Sequence, residues 1–307
     1  MNTELPTSHL AKVLASGKFA VAAELSPPRG VDLDAIEREA NTIKDYVDAV
    51  NVTDNQAASV RMASIPVCAL LVRLGLEPVA QMTCRDRNRL GIQADLLGAS
   101  ALGIKNLLCL SGDHGRWGDH PGVKNVYDLD SNHLLWIAHN MVERGCLDNG
   151  TEISPRPDFF IGAAANPFAP PHEYRPFRLA KKVAAGARFV QTQLVYNVER
   201  FRTYMAKVCD LGLDEKVYIL VGVGPIKSAR QASFMATKLA GMDVPQEIVD
   251  RMEKTPKAAQ PAEGIRICSE IIEQVREIPG VAGLHIMAVR WAESIPEIVT
   301  RAGLYPR

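Results

Sequence analysis

Eight times along this chain a short apolar run ends at a residue suited to chemistry, and a helix-like stretch follows. The runs are FAVAAEL, YVDAVNVTD, PVAQMTC, IKNLLCLSGD, DFFIGAAANP, ARFVQTQ, KVYILVGVGP and VAGLHIMAV. Strands so rich in Val, Ala, Ile and Leu are buried on both faces, as a parallel sheet requires. Eight strand–helix units can close on themselves. The expected fold is therefore α/β: a (β/α)8 TIM barrel with extra helices, one domain over residues 1–307. In such barrels the reactive groups gather where the strands end. An open doubly wound sheet is the competing architecture, but it usually carries a Gly-rich phosphate turn after its first strand. Here that place holds ELSPPRG.

The pattern predicts a first strand over 19–24, stopped by Pro27 and Pro28, and a helix over 32–46. After NVTD, the expectation is a helix capped by Asp54 or Asn55 that runs on through ASVRMASIPVCALLVRLG, with a break before Pro66. HGRWGDHPGVKNVYDLDSN and NPFAPPHEYRPF read as irregular loops, and PQEIVDRMEKT as an extra short helix. Residues 1–15 read as an arm or short helix laid across the barrel bottom.

Charge narrows the function classes. Lys+Arg and Asp+Glu both number 35, so no basic field draws nucleic acid. No apolar run reaches the ~20 residues of a membrane span. The first residues lack the charged-then-apolar pattern of a signal peptide. Six scattered cysteines show no metal-ligand spacing, and a reducing, cytoplasmic setting is expected.

Glu24 is the sharpest chemical signal. It ends an apolar strand before Ser-Pro-Pro, where a carboxyl loses water and suits a general acid. The competing reading is a Glu bonded to backbone or to Arg29. Asp113 follows Gly112, a residue that lets backbone approach a ligand closely; its alternative is a turn cap. Arg85 at a strand end suits phosphate or carboxylate, or pairs locally with Asp86. Cys84 has no His placed in sequence to activate it. Gln193 can read a heterocycle edge or bond to neighbouring loops. Arg175, Arg178, Lys181 and Lys182 form either a solvated basic face or a phosphate clamp, with 178 and 182 on one helix face. His114, Asp119 and His120 look metal-like but match no zinc framework, and no metal is expected.

The ordered set AELSPPRG, NVTDNQ, MTCRDRN, LSGDH, AAANP and KKVAAGARFVQTQ resembles the methylenetetrahydrofolate reductase family, over about residues 15–303. One such motif would be weak; six in register are specific. The resemblance implies a catalytic barrel that reduces 5,10-methylene-tetrahydrofolate to 5-methyl-tetrahydrofolate through a bound flavin. FAD is the expected form and FMN the alternative, reduced by NAD(P)H or by a partner protein. It implies Glu24 as general acid and Asp113 as the aspartate beside flavin and folate. It puts Thr53, Gln81, Leu110, Ser111, Gly112, Asp113, Tyr127, Ala164, Asn166, Arg175, Arg178 and Lys182 on the flavin side. Glu24, Asp113, Gln193 and Arg290 fall on the folate side.

The departures are specific too. A flavin-binding His of bacterial members aligns with Gln81, a basic residue before Gly-Asp with Ser111, and an aromatic neighbour with Asn166. A loop His aligns with Pro170, and an Asn-Arg pair with Arg290-Trp291. The adenine half of a flavin site is thereby weakened, and FMN held by Arg175, Arg178 or Lys182 enters. The GDH…GDHP…VYDLD loop resembles members from acetogens and related anaerobes. Those can work with a small zinc-and-iron–sulfur subunit, so a homo- or hetero-oligomer is expected. Two further readings stand beside the reductase: a flavin-free folate reductase or methyltransferase on the same scaffold, and a subunit active only when docked to an electron-delivering partner.

Overall fold

The computed structural model describes residues 7–239 and 241–307. Eight parallel strands close in sequence order into a barrel. They are β1 (Ala20–Leu25), β2 (Ala49–Val52), β3 (Pro78–Thr83), β4 (Asn106–Leu110), β5 (Phe160–Ala165), β6 (Phe189–Leu194), β7 (Tyr218–Val223) and β8 (Val281–Ile286). The ring shuts where Ala20 to Ala23 of β1 pair with Gly283 to Ile286 of β8. The helices are α1 (His9–Ala15), α2 (Leu33–Ile43), α3 (Ser64–Arg73), α4 (Arg89–Ala101), α5 (Ser131–Glu143) and α6 (Arg175–Ala184). They continue with α7 (Val198–Asp210), α8 (Ala229–Lys238), α9 (Gln246–Lys254), α10 (Gln260–Arg276) and α11 (Ile295–Arg301).

Local chemistry sets most helix starts. Asp32, Asn88, Asp130, Asn197 and Ser228 each accept a backbone N–H of the following first turn. The expected helix start after NVTD does not follow this rule. Asp54 instead accepts from the backbone N–H and hydroxyl of Thr83, and from Arg87 at 2.8 Å. Asn55, Ala57 and Ala58 take left-handed backbone, so only a single turn forms at Gln56–Ala58. The helix begins later, at Ser64, and Pro66 sits harmlessly in its first turn.

The lower barrel is a dry plug. Ala20, Ala22, Ala49, Val79, Leu108, Phe160, Phe189 and Leu220 pack there with Leu10, Ala11, Val13 and Leu14. Those last four belong to α1, which closes the bottom; residues 1–6 of the expected arm lie outside the described residues. Phe160 and Phe189 stack at 5.0 Å. Gly162 makes the room, because a Cβ on it would lie 2.2 Å from the Phe189 ring.

Among the described residues no helix is long and apolar enough to cross a membrane.

Candidate active site

Above the plug the inward positions of the same strands turn polar. A cavity of about 340 Å³ opens there, within the usual range of ligand pockets. Glu24, Gln81, Gln193 and His285 stand on its strand walls, and Arg175, Arg178, Lys182 and Tyr204 on its helix side. Alternation explains the gathering: Ala20 and Ala22 face the plug, and Glu24 is the next inward step of β1.

Glu24 is mostly buried, its side chain 19% exposed. Arg29 is not its partner; that guanidinium lies 3.6 Å from Asp119. Gln81 is buried on β3. Gln193 accepts the backbone N–H of Leu194 at 2.9 Å through Oε1, leaving its amide N–H groups for the cavity. Asn51 and Gln191 join β2 to β6 across the barrel by two amide hydrogen bonds, of 2.6 and 2.9 Å. Leu110 and Ala164 supply apolar wall between these groups.

The helix side is cationic. Arg175, Arg178 and Lys182 lie at i, i+3 and i+7 of α6 and reach one cavity. Arg175 donates to the carbonyls of Ala169 and Pro170, and Lys182 to that of Ala164 at 2.5 Å. Neither is paired with a carboxylate in these contacts. Burial, then the neighbouring Arg178, lowers the Lys182 ammonium to about 8. Burial and Arg178 lower Arg175 as well. Cations that repel one another without an anion make a site for one. Asn166 reaches the cavity too, but its amide is engaged with Gly241 and Phe168.

Asp113, Ser111 and Gly112 form the loop after β4, beside this cavity rather than on its wall. Gly112 has φ +83°, and a Cβ there would lie 3.1 Å from that of Thr83, so any other residue would be strained and crowded. The Tyr127 hydroxyl donates to the Gly112 carbonyl at 3.1 Å. Arg85 is buried and spends its donors on Asp86, the Asn55 carbonyl and the Asp113 carbonyl. It is therefore a brace for the loop, not a free phosphate ligand. Thr53 is buried and donates to Gln56 at 2.7 Å. Arg290 takes left-handed backbone (φ +52°) and is not on the cavity wall; Met287 of the same segment is. Cys84 is buried and its thiol is pushed up to about 12, mainly by that burial, so it is no nucleophile. His114 is held by Asn125, and His120 by Asp119. Asn51, Gln191, Tyr204 and His285 carry no signal in the sequence, because the runs that contain them continue past them with no turn or motif.

The sequence model of the methylenetetrahydrofolate reductase family matches residues 9–303. The chain belongs to this family. A probable methylenetetrahydrofolate reductase (NADPH) of Caenorhabditis elegans is 25% identical over 98% of this chain. The chain spans only 45% of that relative's length. The 5,10-methylenetetrahydrofolate reductase of Pectobacterium carotovorum is 24% identical, over 94% of this chain and 92% of its own. Among solved structures, a Clostridium thermocellum protein that binds two copies of 5-methyl-5,6,7,8-tetrahydrofolic acid superposes with a TM-score of 0.66. It covers 95% of this chain at 14% identity, which speaks for the shared fold.

Proposed function

We propose that this family member reduces 5,10-methylene-tetrahydrofolate to 5-methyl-tetrahydrofolate with a bound flavin, and that Glu24 is the general acid. The observation that carries this reading is the two-sided cavity. One wall offers a mostly buried carboxyl with amides beside it, and the other offers cations that no carboxylate pairs among the described residues. A pterin needs the first and a cofactor phosphate the second.

The residues present fit a flavin mononucleotide unit. Lys182, Arg178 and Arg175 would hold its phosphate, with Leu110 and Ala164 against the ring. The flavin, when bound and reduced, supplies hydride. The chain's own work is binding and proton placement. Gln193 and Gln81 offer donors and acceptors to a heterocycle edge. Glu24 gives its proton to one of the two substrate nitrogens joined by the methylene bridge; the bond from that nitrogen to the methylene carbon breaks, and the other nitrogen's lone pair makes the carbon an iminium ready for hydride. Asp113, on the loop beside the cavity, would favour the cation. FAD is the expected form, and FMN, with its phosphate on the α6 cations, is the alternative.

The test is an absorption spectrum of the purified chain, followed by release and identification of the flavin. A band near ~450 nm that bleaches on reduction and returns when methylene-tetrahydrofolate is added supports the reading. A chain that stays colourless after reconstitution with both FMN and FAD, yet binds folate, would hand the site to a flavin-free folate enzyme. Reduction of the bound flavin by NADH or NADPH alone, against reduction only with an added iron–sulfur protein, decides the electron source.

A further inference from the structure

One buried titratable group on the cavity wall has no part in the reaction just described. His285 of β8 is 3% exposed. Its Nε2 lies 3.8 Å from Oε2 of Glu24, and its Nδ1 is buried with no hydrogen-bond partner among the described residues. An imidazole in the barrel interior with a bare nitrogen costs stability compared with a leucine of similar volume. Filling space therefore does not account for it.

The closed ring explains the meeting. His285 pairs in register with Ala22 of β1, one inward step below Glu24. On its other side β7 presents Gly222, which brings no charge and no side chain. Across the barrel, Asn51 and Gln191 bond to each other. The carboxyl that faces the ring is thus Glu24; the cations of the cavity sit on the opposite, helical wall.

We propose that His285 is the positioning residue for Glu24. This rests on the reading of Glu24 as the acid. Nε2–H donates to one carboxyl oxygen and fixes the plane of the group, so that the second oxygen carries the proton toward substrate. Nδ1 remains an acceptor for a donor that enters with the ligand. No proton passes through the ring: the acid proton leaves from Glu24 and returns to Glu24 from solvent. At 3.8 Å the pair is just beyond hydrogen-bond range, and a small rotation of either side chain closes it.

Two variants separate this role from packing. His285→Gln places an amide donor near the Nε2 position, and His285→Leu fills the volume without one. With methylene-tetrahydrofolate as substrate, His285→Leu should lower kcat at least about tenfold with KM changed less than about threefold, and His285→Gln should recover most of kcat. Flavin content should be equal in all three proteins. An unchanged kcat in the Leu variant, or equal losses in Leu and Gln, would overturn the proposal. Ring nitrogen-15 spectra of the ligand-free protein give a readout that needs no turnover. The ring proton should sit on Nε2 in the wild type and spread over both nitrogens in Glu24→Ala. Identical ring spectra would sink the pair. If the wild type turns over no folate while the spectra differ, the proposed reaction fails and the pairing stands.

Discussion

The lower and upper halves of the barrel are built from the same eight strands and obey opposite rules. Below, inward side chains are apolar, interlocked and sealed by α1. Above, they are Glu24, Gln81, Gln193 and His285 around open volume, faced by cations that repel one another. Two residues of strand are enough to pass from one regime to the other, because alternate residues share a face. The lower half holds the ring in shape; the upper half holds charge and amide groups at a cost in stability that a ligand offsets. A barrel of this kind can change its chemistry at the top without disturbing the plug.

The strongest way to break the comparison is to cut once in each half. Phe189→Ala empties the plug beside Phe160 and should cost about 3–5 kcal/mol of stability. The part of that protein which stays folded should keep its rate constant per flavin. Glu24→Gln should do the reverse. Under the proposed reaction it lowers folate turnover about 10²–10⁴-fold and leaves flavin binding and the melting temperature near those of the wild type. Chemical denaturation and single-turnover reoxidation of the flavin measure the two. A Glu24→Gln protein that turns over normally removes Glu24 from the acid role.

A smaller effect sharpens the point that the upper half is held under electrostatic load. Lys182 stands at about 8 because burial and Arg178 disfavour its charge. The unfolded lysine keeps its proton to higher pH, so between about pH 8 and pH 10 the unfolded state binds more protons. Ligand-free stability from this group therefore rises with pH across that window, and the penalty is fully present below it. Lys182→Met should stabilise the ligand-free protein at pH 7 by about 1–2 kcal/mol, allowing for partial exposure, and weaken phosphate or FMN binding at least about tenfold. Thermal melts with and without FMN check both halves of the statement. A variant that is less stable without ligand would show that Lys182 is a structural tie and not part of an anion site.

The ring was legible in the sequence because burial on both faces leaves a run that cannot be mistaken for a half-wet strand. Its chemical positions were legible where they end strands, as at Glu24 and Gln193, or repeat along one helix, as at Arg178 and Lys182. The pairing of Asn51 with Gln191 was not, since residues 140 apart leave no local trace of their contact. His285 was hidden for a related reason: it lies inside an apolar run, and only closure of β8 on β1 reveals what it faces. The misplaced helix start after NVTD has a physical cause as well. A capping residue near an apolar stretch is a good rule until a neighbour competes for it, and Thr83 and Arg87 take Asp54. Arg290 was expected near folate, and left-handed backbone at that residue goes with Met287, not Arg290, on the cavity wall.

The smallest effect lies behind the barrel, on α2, and tests whether Glu24 is felt beyond the cavity. Glu39 is raised to about 7, first by burial, then by the charge of Glu293, and last by that of Glu24. The unfolded carboxyl releases its proton near 4.5, so from there to about 7 the folded state holds a proton that the unfolded state has lost. Stability from this group is fully present below about pH 4.5 and is lost as pH rises through about 7. Glu39→Gln should accordingly match the wild type near pH 4.5 and exceed it by about 1 kcal/mol near pH 8, in urea melts taken across the range. In a Glu24→Gln background one of the two repelling charges is gone, and the advantage of Glu39→Gln should shrink. An advantage that is constant with pH would mean that the amide simply packs better. One that varies with pH but ignores Glu24 would confine the coupling to Glu293 and leave the active-site carboxyl electrostatically local.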